Sequence, residues 1–334
     1  NMKIYLAGDS IVQNYEKEEF IAGWGQFLPF FIKDGVEVVN DAKGGRSSRL
    51  FINEGRFDNI EKNISAGDYL LIEFCHNDDA SKEYKTMFNR LTPLGEPDSD
   101  GRFPIIPGEA MPKDYIPPEY IDALRKDVNV KDKQAVLDSV YKILESYPHD
   151  TYYPYSADGS KGTYLWFLKQ FVDMAREKGA VPVFVTAPAR TVYDANGNIK
   201  DGAGLHGGNN FAYIRAMKQL GEEAKVPVID LFAYSCGLYK QIGKEKIHWI
   251  TSIKKGCNKG IWPDDFNSEM QKKETVSEDT HFNKYGAMLI TQGLVKLIKE
   301  SDSSQLDGLK GMLKNPDGID IEKYVKKPLV FEEF

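Results

Sequence analysis

Short apolar runs alternate with amphipathic stretches along most of this chain. Lys3 to Leu6 reads as a first strand, followed at once by the turn-forming Ala7-Gly8-Asp9-Ser10. Residues 36–39 predict a second strand. Residues 68–74 predict a third, whose nearly unbroken apolar run suits a strand buried on both faces. Fourth and fifth strands are predicted at 181–186 and 226–231. Gly23-Trp24-Gly25 reads as a loop. Helices are predicted over 26–32, 56–64, 162–178, 209–225 and 285–299, and in the third of these Leu165, Leu168, Phe171, Val172 and Ala175 share one face. Strands alternating with helices in this way predict an α/β protein with a doubly wound, mostly parallel sheet.

The rhythm fails between residues 79 and 161. Pro93, Pro97, Pro104, Pro107, Pro112, Pro117 and Pro118 break any long element, and a helix is predicted only over 131–147. The stretch is too long for an ordinary connection. It reads as an insertion lying over the carboxyl ends of the strands, where it would shape a substrate cleft; a peripheral decoration is the alternative. A second insertion is expected at 239–275, with Trp249 and Trp262, and a polar tail at 301–334 is expected to wrap the surface. No repeat or domain boundary emerges, so residues 1–334 read as one domain with two insertions and a C-terminal extension.

Composition narrows the function classes. A formal net charge of -7 and the lack of a long basic run argue against a protein that tracks nucleic-acid phosphates. Cys75, Cys236 and Cys257 are too few and too scattered for a disulfide scaffold or a structural zinc site, and they suit a reducing compartment. Asn1 ahead of Met2 reads as an addition before the natural start. With no room for a signal peptide and no apolar run of about 18 residues, a cytoplasmic protein without membrane contact is expected, or a secreted one whose leader has been removed.

The chemistry lies where the strands end. Strand one delivers Ser10, strand two Gly44-Gly45-Arg46, strand three His76-Asn77-Asp78, and the stretch before the last helix Glu278-Asp279-Thr280-His281. In an open parallel sheet these ends face one crevice. Asp9 or Ser10 alone could simply cap a helix starting near Ile11. Together with a distant imidazole, a carboxylate and rigid donors, Ser10 completes an inventory for acyl transfer. The Gly-x-Ser-x-Gly elbow is absent, as are the phosphate-binding glycine patterns.

Four blocks in order, Ala7-Gly8-Asp9-Ser10, Asn40 to Ser47, Glu73 to Asp78 and Asp279 to Asn283, resemble the SGNH (GDSL-like) hydrolase superfamily, and their wording is most similar to its rhamnogalacturonan acetylesterase branch. The resemblance implies a flavodoxin-like three-layer sandwich around a mostly parallel five-stranded sheet. It implies no cofactor or metal, and an acetylated oligosaccharide, characteristically pectin-derived rhamnogalacturonan, as substrate. By the same resemblance Ser10 is the nucleophile, His281 the base, and the Ser10 N–H, Gly45 and Asn77 form the oxyanion hole. The family has Asp three residues before the His; here Glu278 stands there and Asp279 is two before, so Glu278 is preferred as triad acid and Asp279 kept as rival.

Cys75 replaces a family glycine and either packs or narrows the floor of the site. Arg46 either holds a substrate carboxylate or anchors its own loop. His76, Arg190 and His206 are further substrate-side candidates, with scaffold roles as their alternatives. Because the imidazole must be neutral to act, activity is expected to fall on the acidic side of neutrality. A short-chain lipid esterase or lysophospholipase, and a non-catalytic carbohydrate-binding protein, are the rival functions; oligomeric state is not legible.

Overall fold

Side chains that alternate across five short strands divide the core into two layers. The computed structural model describes residues 2–16, 19–80, 89–153, 158–200, 211–253 and 277–325. The central strands are β1 (Lys3–Ala7), β3 (Glu37–Asn40), β4 (Tyr69–Ile72), β7 (Val181–Val185) and β8 (Val228–Ile229), all parallel, in the order β3-β1-β4-β7-β8. Ile4, Leu6, Leu71, Val183 and Val185 face one layer, while Tyr5, Ala7, Leu70, Ile72 and Phe184 face the other. The helices Leu231–Ile242 and Lys284–Glu300 cover the first face; Tyr164–Glu177 and Ala212–Glu223 cover the second. This is the expected three-layer sandwich. The strand order reverses at β1, the switch point where open α/β sheets build their sites.

Several local expectations are corrected. Trp24 is fully buried in a short helix, Trp24–Phe27, that runs into a 3-10 turn, Leu28–Phe31, rather than lying in a loop. Helix Leu231–Ile242 follows β8 almost without a break, so Tyr239 belongs to a core helix and not to the second insertion expected from residue 239. Residues 254–276, Trp262 among them, lie outside the described residues. The tail does more than wrap: Leu306, Leu309 and Leu313 are core residues, and Leu313 bridges to Ile32.

A second, three-stranded sheet joins β2 (Ile21–Ala22), β10 (Ser277–Asn283) and β9 (Thr251–Ile253) in the order β2-β10-β9. The first insertion carries the pair β5 (Ala110–Met111) and β6 (Thr151–Tyr152) and two helices, Pro118–Lys126 and Lys133–Ser146, with their own small core of Tyr120, Leu124, Val140 and Leu144. Buried Arg49 ties this insertion down, donating to the carbonyls of Leu91 (3.0 Å) and Tyr152 (2.8 Å). Among the described residues no helix is long and apolar enough to cross a membrane.

The last core helix begins immediately after β10, and Asn283 caps it through a bond from the Gly286 N–H (2.8 Å). Gly286 is required by packing: a Cβ there would stand 2.1 Å from the Ile250 carbonyl oxygen. Gly286→Ala is therefore expected to cost about 2 kcal/mol in thermal or denaturant unfolding, with the exit of β10 displaced.

Candidate active site

The exits of β1, β3 and β4 meet the middle of β10. After β1, the Ile11 N–H donates to Asp9 Oδ1 (3.0 Å), and the Val12 and Gln13 N–H groups donate to the Asp9 carbonyl (both 3.1 Å). Asp9 thus closes a single turn and not a helix, which leaves Ser10 at the crest, half-buried. Ser10 Oγ lies 2.7 Å from His281 Nε2. His281 Nδ1 lies 2.9 Å from Glu278 Oε2, and Glu278 Oε1 also accepts the His281 backbone N–H at 2.5 Å. In a regular strand, residues three apart point to opposite faces. The register of β10 shifts between Ser277 and Phe282, and this irregularity lets Glu278 and His281 meet. Nδ1–H donation to Glu278 leaves Nε2 free to accept the serine proton. Asp279 makes no such contact. Its carboxylate accepts from Thr280 Oγ1 (3.0 Å) and its carbonyl from the Thr191 N–H (2.8 Å).

The donor side is assembled by the next two loops. The Gly44 N–H donates to Gln13 Oε1 (2.5 Å), docking the β3 loop against the segment after Ser10. Gly45 has φ 79°, the left-handed conformation that glycine adopts without steric cost. Asn77 Nδ2 donates to the Arg46 carbonyl (3.3 Å), so the same loop reaches the exit of β4. Asp78 secures the junction: fully buried, its carboxylate accepts the Ser48 N–H (3.0 Å) and the Ser48 hydroxyl (2.5 Å). Burial pushes the Asp78 carboxyl up to about 7.

Beneath Ser10 lies a buried acid pair. Glu73, at the end of β4, is fully buried against Asp9. Desolvation, reinforced by the charge of Asp9, holds Glu73 well above the usual carboxylate range, so it keeps its proton.

The remaining candidates separate clearly. Arg46 is taken up by Glu54 in a two-point ion pair (2.6 and 2.8 Å) and by the Gly44 carbonyl (2.8 Å); it anchors its loop and has little left for a substrate carboxylate. His76 is buried, with Nε2 on the Pro188 carbonyl (3.1 Å), a scaffold contact. Arg190 reaches Thr280 Oγ1 through Nε (3.2 Å) and lines a small cavity of about 50 Å³ with His76, Cys75 and Asp79. Desolvation drives the Cys75 thiol well above its usual value, which disfavours a thiolate nucleophile there. His206 lies outside the described residues. Among the described residues no group of three His, Cys, Asp or Glu side chains could hold a metal ion. Two residues escaped sequence reasoning: Glu54, paired across a helix, and Arg90, whose Nη1 lies 3.4 Å from Asn77 Oδ1. Neither sits in a recognisable motif.

No protein-family model matches the chain. It is 30% identical over 300 residues to rhamnogalacturonan acetylesterase RhgT of Bacillus subtilis, covering 90% of both chains. It is also 30% identical over 298 residues to the probable rhamnogalacturonan acetylesterase YesY of the same organism, covering 89% of this chain and 92% of that one. Among solved structures, protein YxiM of Bacillus subtilis matches with a TM-score of 0.52 at 20% identity, over 91% of this chain; this chain spans 58% of that one. That likeness is one of fold.

The buried acids give stability a pH dependence. Partial burial pushes Asp79 up to about 7 from 3.8, Arg190 offsetting it only in part. The folded state therefore holds a proton that the unfolded chain releases; the penalty is absent below about pH 4 and complete above about pH 7. Thermal unfolding of Asp79→Asn at pH 5 and pH 8 is expected to show a smaller loss at pH 8 than the unsubstituted protein, by about 1–2 kcal/mol.

Proposed function

Since the chain belongs to the SGNH (GDSL-like) hydrolase superfamily, as a relative of its rhamnogalacturonan acetylesterases, we propose that it is a carboxylic ester hydrolase that removes acetyl groups from pectin-derived rhamnogalacturonan oligosaccharides. The observation that carries this reading is the unbroken relay from Ser10 Oγ through His281 to Glu278, at 2.7 and 2.9 Å.

His281 Nε2 takes the Ser10 proton as Oγ attacks the acetyl carbonyl, and Glu278 holds the imidazolium that forms. The oxyanion is stabilised by the N–H groups of Ser10 and Gly45 and by the Asn77 side-chain amide, donors held by loops that do not reorganise as charge develops. The sugar hydroxyl departs with the proton from His281. Water then gives a proton to the same nitrogen as it attacks the acyl-serine, His281 returns that proton to Ser10 Oγ as the acyl–oxygen bond breaks, and acetate is released. Each half-reaction returns the site to its starting protonation, so neither metal nor cofactor is called for.

The reading is tested by acetate release from acetylated rhamnogalacturonan fragments, beside acetylated xylan and a medium-chain lipid ester. Ser10-dependent release is expected from the pectic fragments; release only from xylan or lipid ester would remove the pectic assignment. Glu278→Gln is expected to lower kcat by roughly 10²–10⁴-fold, while Asp279→Asn leaves it within a few-fold. Asn77→Ala is expected to cost about 10²–10³-fold in kcat; a change of less than threefold would remove Asn77 from the oxyanion hole.

A further inference from the structure

A groove of about 640 Å³ opens beside the oxyanion hole, in the size range of ligand sites. Its floor is the Gly45–Arg46 loop with Arg90, and its far wall is the insertion, including Tyr120 and Tyr147. Whatever occupies it lies directly beside the reacting ester, because Gly45 belongs to both.

Arg90 holds the junction between the two. Its Nη1 is 3.4 Å from Asn77 Oδ1, and its Nη2 is 3.1 Å from the point where a Cβ on Gly45 would stand. The charge around it is unbalanced. Glu54 alone faces two guanidinium groups, Arg46 at 2.6 Å and Arg56 at 2.8 Å. Arg90 has no carboxylate partner among the described residues. Among the described residues, Arg46 and Arg90 line the groove with Glu54 as the lining carboxylate, and Glu54 is shared with Arg56. Partial desolvation and the charge of Arg46 both lower the Arg90 pKa, a sign that the cations crowd one another and that a bound anion would relieve them. A guanidinium presents its N–H groups as a planar fork that fits a carboxylate at two points.

We propose that this groove is a subsite for the carboxylate of a uronic acid residue in the oligosaccharide that carries the ester, and that Arg90 is its anion contact. The carboxylate-reading role that the sequence offered to Arg46 passes to Arg90, since Glu54 has already claimed Arg46. The proposal rests on the reading of the chain as a carbohydrate esterase.

The test is inhibition of 4-nitrophenyl acetate hydrolysis by trigalacturonate and by neutral galactotriose. The acidic trisaccharide is expected to inhibit competitively, about tenfold more tightly than the neutral one. About 0.5 M salt should erode that preference. Arg90→Gln should bring the ratio of the two inhibition constants near one, and Arg90→Lys should keep part of it. Equal inhibition by both trisaccharides overturns the proposal. So does an unchanged ratio in Arg90→Gln, and a lower kcat with an unchanged ratio would make Arg90 a positioning residue for Asn77 instead. If no Ser10-dependent hydrolysis is seen, the esterase reading fails. Calorimetric binding of the same two trisaccharides then reads the subsite by itself, so the two failures remain distinct.

Discussion

Asp78 is the joint on which the candidate site hangs. Its carboxylate receives the backbone and hydroxyl of Ser48, and its carbonyl receives the Thr92 N–H (3.0 Å) and the Tyr213 hydroxyl (3.2 Å). Four segments far apart in sequence therefore converge on one fully buried residue: the β3 loop, the β4 loop, the insertion and the helix Ala212–Glu223. Asn77 is its immediate neighbour, and Gly45 lies three residues before Ser48. The spacing of the two proposed oxyanion donors is thus set by a buried hydrogen-bonded network rather than by the loops' own preferences. An oxyanion hole works because its dipoles are already aligned before charge appears.

Such rigidity has a cost, which falls on buried carboxyl groups. Asp9, Glu73 and Asp78 are all fully buried at the exits of β1 and β4. Placing several ionised carboxylates there would be prohibitive. The arrangement holds because Glu73 stays protonated against Asp9, and because Asp78 and Asp9 are met by N–H and O–H donors. The floor under Ser10 is a buried carboxyl layer whose charge is kept low by retained protons.

The candidate site residues were legible because they lie in or just past strands. Ser10, Asn77 and His281 occur in ordered blocks, and the apolar run of β4 identified its strand at once. What escaped depended on tertiary pairing. Arg46 could be read two ways until Glu54, eight residues on, was seen folded back against it. Helix Pro118–Lys126 hid in a proline-rich stretch, although its Pro118 occupies the first helical position, where a missing N–H costs nothing. Helix Leu231–Ile242 follows β8 so closely that its apolar start merged with the strand. The preference for Glu278 over Asp279 comes from the resemblance, which places the acid three residues before the His; what brings Glu278 to the imidazole is an irregularity in β10 that no periodicity announces.

The clasp made by Arg49 bears on how such a protein diversifies. The chain departs near Leu91 and returns at Tyr152, and both points hang from the short helix Ser48–Asn53; Asn53 adds a second bond to the Tyr152 carbonyl (2.9 Å). Within that span, the part from Ala110 to Tyr152, closed by the β5–β6 pair and packed on its own small core, is a cassette. Because the closure entropy of a loop grows only with the logarithm of its length, such a cassette can lengthen, shrink or be replaced while its two anchor points stay where they are. The wall of the groove can be rewritten by evolution without moving the serine, the histidine or the donors that face them.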